Sequence, residues 1–200
     1  MARLALNKAA LAKQNRLLKT LEEVLPSLDL KRRQLGAEKA KVRQTLAQIQ
    51  TKLEAIEAQI ARELPMLSLE LIDLTDIVKV TSVELGEENV MGTRLPKVKD
   101  VNMEVQPYAF LGTPFWVDRL VEILKTALAL RIDVQVGHRR LDLLNNAERV
   151  ATQRFNLFDK VLTPQAKANI KKIKVYLADA ERAAVVNSKI AKHKKQKKVV

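Results

Sequence analysis

The chain has 200 residues and a net charge of +13, with 47% hydrophobic and 30% charged residues, 4% aromatic residues, five glycines and six prolines. So little aromatic area and so few turn residues argue against a compact globule and favour long helices built on Leu, Ile, Val and Ala. With no cysteine, a disulfide scaffold, a thiolate-held zinc or iron–sulfur centre and a thiol nucleophile are excluded.

At the start, Lys8 and Lys13 interrupt the apolar stretch, so no secretory signal is expected. No charge-free apolar run nears the roughly 20 residues that span a bilayer, so a soluble chain without direct membrane insertion is expected. Residues 1–65 read as one coiled-coil helix. Stepping alternately by three and four from Leu11 to Ile60 meets Leu, Ile or Val at twelve of fifteen positions, the others being Gln14, Arg32 and Lys39. A seam sustained over that length specifies a helix that must bury its stripe against another helix. At 1.5 Å per residue, ~55 residues reach roughly 80 Å. Pro26 lies in phase inside the seam and predicts a kink near Glu22–Leu25 rather than a stop. Pro65 predicts the end.

Residues 66–112 form a middle region. Met66–Thr75 reads as a short helix, Ile77–Val83 as a β-branched strand and Val98–Val105 as a weaker one. Gly86–Gly92 reads as the loop between them, which makes a small β-hairpin. The second coiled-coil helix is expected over 113–192, with Thr113 as cap and Pro114 in the first turn. Its seam runs from Trp116 through Leu120, Ile123, Gly137, Leu144, Glu148 and Phe158 to Leu162. It then slips to Ala166, Ile170, Ile173, Leu177, Ala180 and Ala184. Two successive steps of four around Pro164 resemble a stutter. Residues 193–200 are a basic tail, and Lys189–Lys198 holds six lysines, a composition expected to be solvated. The fold class is mainly α: a long antiparallel two-helix coiled coil from the N- and C-terminal helices, with a small hairpin region in the middle.

Charge follows this division. Residues 1–65 carry +6, residues 66–116 carry −4, and residues 117–200 carry +11. Catalytic chemistry has no footing. No glycine spacing makes a phosphate loop, His138 and His193 are too far apart in sequence to read as a metal pair, and Glu22–Glu23 and Glu87–Glu88 read as solvated carboxylates. His138 beside Arg139–Arg140 reads as helix surface. The aromatics Tyr108, Phe110, Phe115 and Trp116 read as packing between hairpin and helices. Lys31, Arg32 and Arg33 form a basic cluster on the first rod, with Arg32 in the seam; it either snorkels out or contacts a partner. No metal or cofactor is expected.

Asn89-Val-Met-Gly-Thr-Arg-Leu-Pro96 resembles the Asn-x-x-Gly-Val-x-x-Pro segment of the D subunits of V/A-type ATPases. Gln153-Arg-Phe-Asn-Leu-Phe-Asp-Lys-Val-Leu-Thr-Pro164 is similar to that family's Arg-Val-Asn-Ala-Leu-Glu…Ile-Pro signature, with Arg154, Asn156 and Pro164 matching. Leu28-Asp-Leu-Lys-Arg-Arg-Gln-Leu35 resembles its Leu-Leu-Lys-x-Lys-Arg stretch, with either a slip of one residue or Asp29 in place of a leucine. Leu25-Pro-Ser-Leu28 and Thr113-Pro-Phe-Trp-Val-Asp118 look like a divergent bacterial branch. The resemblance covers nearly the whole chain, in order. It implies a non-catalytic central-stalk rotor shaft that couples ATP hydrolysis or synthesis to proton or sodium transport.

The implied partners are the catalytic hexamer of A and B subunits, the F subunit of the central stalk and the funnel-shaped subunit above the membrane ring. The implied place is cytoplasmic, peripheral to the membrane. Lys31, Arg32, Arg33, Asn89, Gly92, Pro96, Arg154, Asn156 and Pro164 are the partner-contact candidates. Two other classes fit parts of the pattern. A prefoldin-like chaperone shares helical hairpins with intervening strands but lacks the Arg-x-Asn…Pro signature. A nucleic-acid binder suits the isoelectric point near 10.0, but no stacking aromatics interleave with the basic residues, so no nucleic-acid partner is expected.

Overall fold

The computed structural model describes residues 4–65, 77–107 and 114–197. The expected helix over 66–75, the Thr113 cap, and Tyr108 and Phe110 lie outside the described residues. Helix α1 spans Lys8–Glu63, strand β1 Val78–Val90, strand β2 Thr93–Val105 and helix α2 Trp116–Asn156. A π-helical turn, Leu157–Leu162, then leads into helix α3, Thr163–Lys197. The chain divides into two compact units: Arg32–Arg149, and Met1–Lys31 with Val150–Val200.

Local chemistry accounts for where α1 begins. Asn7 is its cap: the Asn7 Oδ1 accepts the Ala10 N–H at 2.7 Å, satisfying a backbone donor that the first turn would otherwise leave orphaned. The helix runs through Pro26 unbroken. Each of the fifteen seam positions from Leu11 to Ile60 is buried or half-buried. On the second rod the same holds from Trp116 to Leu177, whereas Ala180 and Ala184 are exposed. The seam therefore ends at Leu177, shorter than expected. The helix itself continues to Lys197, five residues past the expected end at Lys192.

In the Arg32–Arg149 unit, α1 and α2 run antiparallel. Residue numbers fall on one helix as they rise on the other, with Lys39 bonded to Glu148, Leu46 lying against Gly137, and Glu63 paired with Arg119 at 3.7 Å. Leu35 and Leu144 are both 0% exposed. Nearer the hairpin, Leu64, Leu120 and Ile123 form one apolar cluster with Ile56 and Ile60. Ile77, Val117 and Val121 form a second with Val78 and Val105, fastening the base of the hairpin to α2. Trp116 packs against both clusters. Phe115, expected in this packing, is instead 88% exposed; it precedes the first residue of α2 and faces solvent.

The hairpin is longer than its β-branched runs suggest. Val78 pairs with Val105 and Val90 with Thr93, with irregularities between Val80 and Ser82 and between Glu84 and Leu85. Gly86 pairs with Lys97 inside the ladder, so the expected loop over Gly86–Gly92 shrinks to Met91–Gly92. Both turn residues have positive φ, 51° and 77°, the requirement of a two-residue primed turn whose twist matches the strands.

In the other unit, Leu21 on α1 and Ala166, Ile170 and Ile173 on α3 are buried, and Lys167 pairs with Glu22 at 3.7 Å. The stutter expected around Pro164 is the π-helical turn. The Thr163 N–H reaches back five residues to the Phe158 carbonyl, so one extra residue is absorbed. Pro164 has no N–H, and its ring crowds the carbonyl four residues back; the wider turn lies directly before it. The absorbed residue keeps Leu162, Ala166 and Ile170 on the seam at intervals of four.

Burial makes the seam quantitative. Leu144→Ala should lower unfolding stability by about 2–5 kcal/mol, since transfer and cavity penalties add at a fully buried site. Leu30→Ala, at a residue 56% exposed, should change it by less than about 0.5 kcal/mol. Thermal melts followed by helical circular dichroism compare the two, and equal shifts would contradict the seam assignment.

Candidate partner-contact surfaces

The candidate residues fall in three places. Lys31 and Arg32 are half-buried on α1 and Arg33 is exposed, with the division between units falling between Lys31 and Arg32. Asn89, Gly92 and Pro96 lie at the hairpin end. Arg154, exposed, and Asn156, half-buried, close α2, while Pro164 is exposed at the start of α3. Arg32, Arg33, Asn89, Gly92 and Pro96 belong to the Arg32–Arg149 unit, and Lys31, Arg154, Asn156 and Pro164 to the other.

At the hairpin end each residue has an internal task. The Asn89 Oδ1 accepts the Gly92 N–H at 2.9 Å, holding the turn closed. Gly92 supplies the positive φ that a side chain would oppose. The carbonyl of Pro96 accepts from Arg140 Nη1 at 3.2 Å, while Arg140 Nη2 donates to Glu88 Oε2 at 3.0 Å. The Arg140 side chain is 16% exposed against 47% for Glu88. One guanidinium on α2 thus grips both strands of the hairpin, an arrangement suited to its rigid fork of donors.

Arg140 was legible in sequence only as part of a surface triplet, because its two acceptors lie 44 and 52 residues away. His138, beside it, is exposed as expected. Beneath the Arg140 bridge lies a groove of about 510 Å³, lined among others by Val42, Leu46, Pro96, Val98 and Val136. Its walls also carry Glu38, Lys41, Lys97 and Asp133 and hold no nucleophile paired with a base. Among the described residues, no group of three or more His, Asp or Glu could hold a metal ion. Among them also, no helix is long and apolar enough to cross a membrane.

Because Arg140 is largely shielded and its hydrogen bonds are charge-assisted, Arg140→Ala should destabilise this unit by about 2 kcal/mol. Amide exchange should speed up in the Glu88–Leu95 part of the ladder while the Leu120–Ile123 turn stays protected. Unchanged exchange at Leu95 would show that the base of the hairpin alone holds it.

The chain matches the family of ATP synthase D subunits over residues 10–193. It is 35% identical over 192 residues to the D subunit of a V-type ATP synthase of Borreliella burgdorferi, covering 96% of this chain and 95% of that protein. It is 34% identical over 180 residues to the corresponding D subunit of Chlamydia felis, covering 89% and 86%. With that of Chlamydia trachomatis serovar L2 it shares 30% identity over 197 residues, covering 98% and 97%. Length, seam and hairpin fall within one continuous match, and the chain belongs to the family of ATP synthase D subunits, the non-catalytic stalk components of V-type rotary ATPases.

Proposed function

We propose that this chain is the rotor shaft of a V/A-type rotary ATPase, transmitting torque between a catalytic hexamer of A and B subunits and a membrane ring that moves protons or sodium ions. The observation that carries this reading is the near full-length match to the D subunits on a chain whose helices pack along a seam unexposed from Leu11 to Ile60. A torque-bearing rod must resist twisting, and continuous close packing gives that stiffness. It must also present unlike faces to like catalytic interfaces, so that nucleotide affinity at each shifts with angle. The π-helical turn at Leu157–Leu162 and the laterally attached hairpin supply such asymmetry.

Charge supports the same arrangement. The segments that form the rods carry +6 and +11, and the segment holding the hairpin carries −4. Lys31, Arg33 and Arg154 then act by long-range attraction to an acidic cavity of the hexamer. Asn89, Gly92 and Pro96 act by shaping the hairpin. The F subunit on the stalk and the funnel-shaped subunit above the ring complete the set of partners, which places the chain on the cytoplasmic side, peripheral to the membrane.

Affinity purification of the tagged full-length chain from its own cells tests this. Recovery of A, B and F polypeptides together, with ATPase activity in the eluate, is the expected outcome. Recovery of the chain with none of them, or with unfolded client proteins as a chaperone would give, overturns the reading.

A further inference from the structure

An apolar heptad stripe specifies that two helices pack but is nearly indifferent to which heptad faces which. Sliding one helix by seven residues, about 10.5 Å, returns aliphatic residues to aliphatic residues. Something else must select the register. In the Arg32–Arg149 unit the seam holds three charged residues: Arg32 and Lys39 on α1, and Glu148 on α2. Lys39 Nζ donates to Glu148 Oε2, with the two side chains 20% and 28% exposed. They sit among fully buried neighbours, Leu35 and Leu144. Gly36 stands beside them, where even an added Cβ would come no closer than 3.5 Å to the Glu148 carboxylate.

A second feature fixes the same register by shape. A Cβ added at Gly137 would lie 2.6 Å from Leu46 Cδ2, far inside van der Waals contact. Leu46 is therefore a knob seated in a hole that exists only because position 137 is glycine.

The two slipped arrangements can be read from the sequence. Moved one way by a heptad, Glu148 would leave Lys39 and face Leu46. Moved the other way, it would meet Arg32, but Lys39 would then lie against Leu141. Either slip strands a charge in an aliphatic seam and lifts Leu46 out of its hole. A stranded seam charge opposes a wrong register far more than the pair favours the right one, which is the best-attested use of polar groups at seam positions.

We propose that Lys39 and Glu148, together with Leu46 seated at Gly137, form a register lock that prevents α1 from sliding along α2. The lock is a property of this chain alone and does not depend on the rotor reading. Where that reading holds, the lock is what keeps applied torque from dissipating as axial slip.

The chain has no cysteine, so paired cysteines report register directly. In the native register Glu63→Cys with Arg119→Cys replaces two long side chains that meet tip to tip, with charged atoms 3.7 Å apart, a separation that a short bismaleimide linker bridges. Glu63→Cys with Thr126→Cys sits one heptad, about 10.5 Å, further along α2, beyond that linker's reach. In the otherwise unaltered full chain, the linker should join the first pair and leave the second open. In Lys39→Leu/Glu148→Leu the second cross-link should appear. It should form severalfold more when Leu46→Ala also empties the hole. Thermal melts of Lys39→Leu/Glu148→Leu should show stability equal to or above that of the parent, because apolar replacement of a shielded pair is often neutral or stabilising. Lys39→Glu/Glu148→Lys, which keeps complementarity, should close only the first pair. A chain that remains helical and forms no slipped cross-link even with all three changes overturns the lock. So does the charge-swapped chain, if it slips.

Discussion

The need to bury one aliphatic stripe governs nearly everything else in this molecule. A helix as long as α1 has no interior of its own, and its Leu and Ile side chains find shelter only where a second helix offers a matching stripe. That requirement makes the rods pair. It also turns each interruption of the stripe into a structural event. Where Pro164 removes a donor, the backbone widens into a π-helical turn and lets the stripe resume. Where Lys39 and Glu148 enter the seam, each finds its counter-charge in the other. Where Gly137 leaves a gap, Leu46 fills it.

The hairpin is held by a different balance. A two-stranded ribbon has two open edges and marginal stability by itself, and most of β1 is exposed. It persists by attachment to α2 at two heights: through the aliphatic cluster of Ile77, Val78 and Val105 with Val117 and Val121 at the base, and through Arg140 near the turn. The first attachment is non-directional and would tolerate twist of the ribbon. The second is a directional fork that would not. Together they define the hairpin's pose on the Arg32–Arg149 unit.

Much of this was legible in the amino-acid order, for a physical reason. Heptad spacing is a local signal that repeats, so the sequence alone assigns every seam residue from Leu11 to Ile60, and the phase slip near Pro164 announces the π-helical turn without revealing its hydrogen bonding. The extent of the hairpin was less legible. Gly86, Glu87 and Glu88 have low strand propensity, and only cross-strand pairing with Leu95, Pro96 and Lys97 draws them into the ladder. The Arg140 bridge was not legible, because a long-range contact leaves no local period. The role of Lys39 and Glu148 was half visible: each stood out as an interruption, but nothing in one sequence says that two interruptions meet. For the candidate residues the structure resolves local tasks at Asn89, Gly92 and Pro96.

The last turns of α3 show what happens to a helix beyond its seam. From Glu181 to Lys194 every residue is exposed, Val185, Val186 and Ile190 included, and the five charged residues comprise one glutamate and four Lys or Arg. Among the described residues none buries any part of this stretch, and an unsupported helix of this length is marginal in water. A helix end of this kind opens by fraying rather than by global unfolding. A partner that bound this end would not need to pull it apart or refold it. It has only to raise the population of a conformation already sampled, and the entropy lost in doing so subtracts from the strength of the grip.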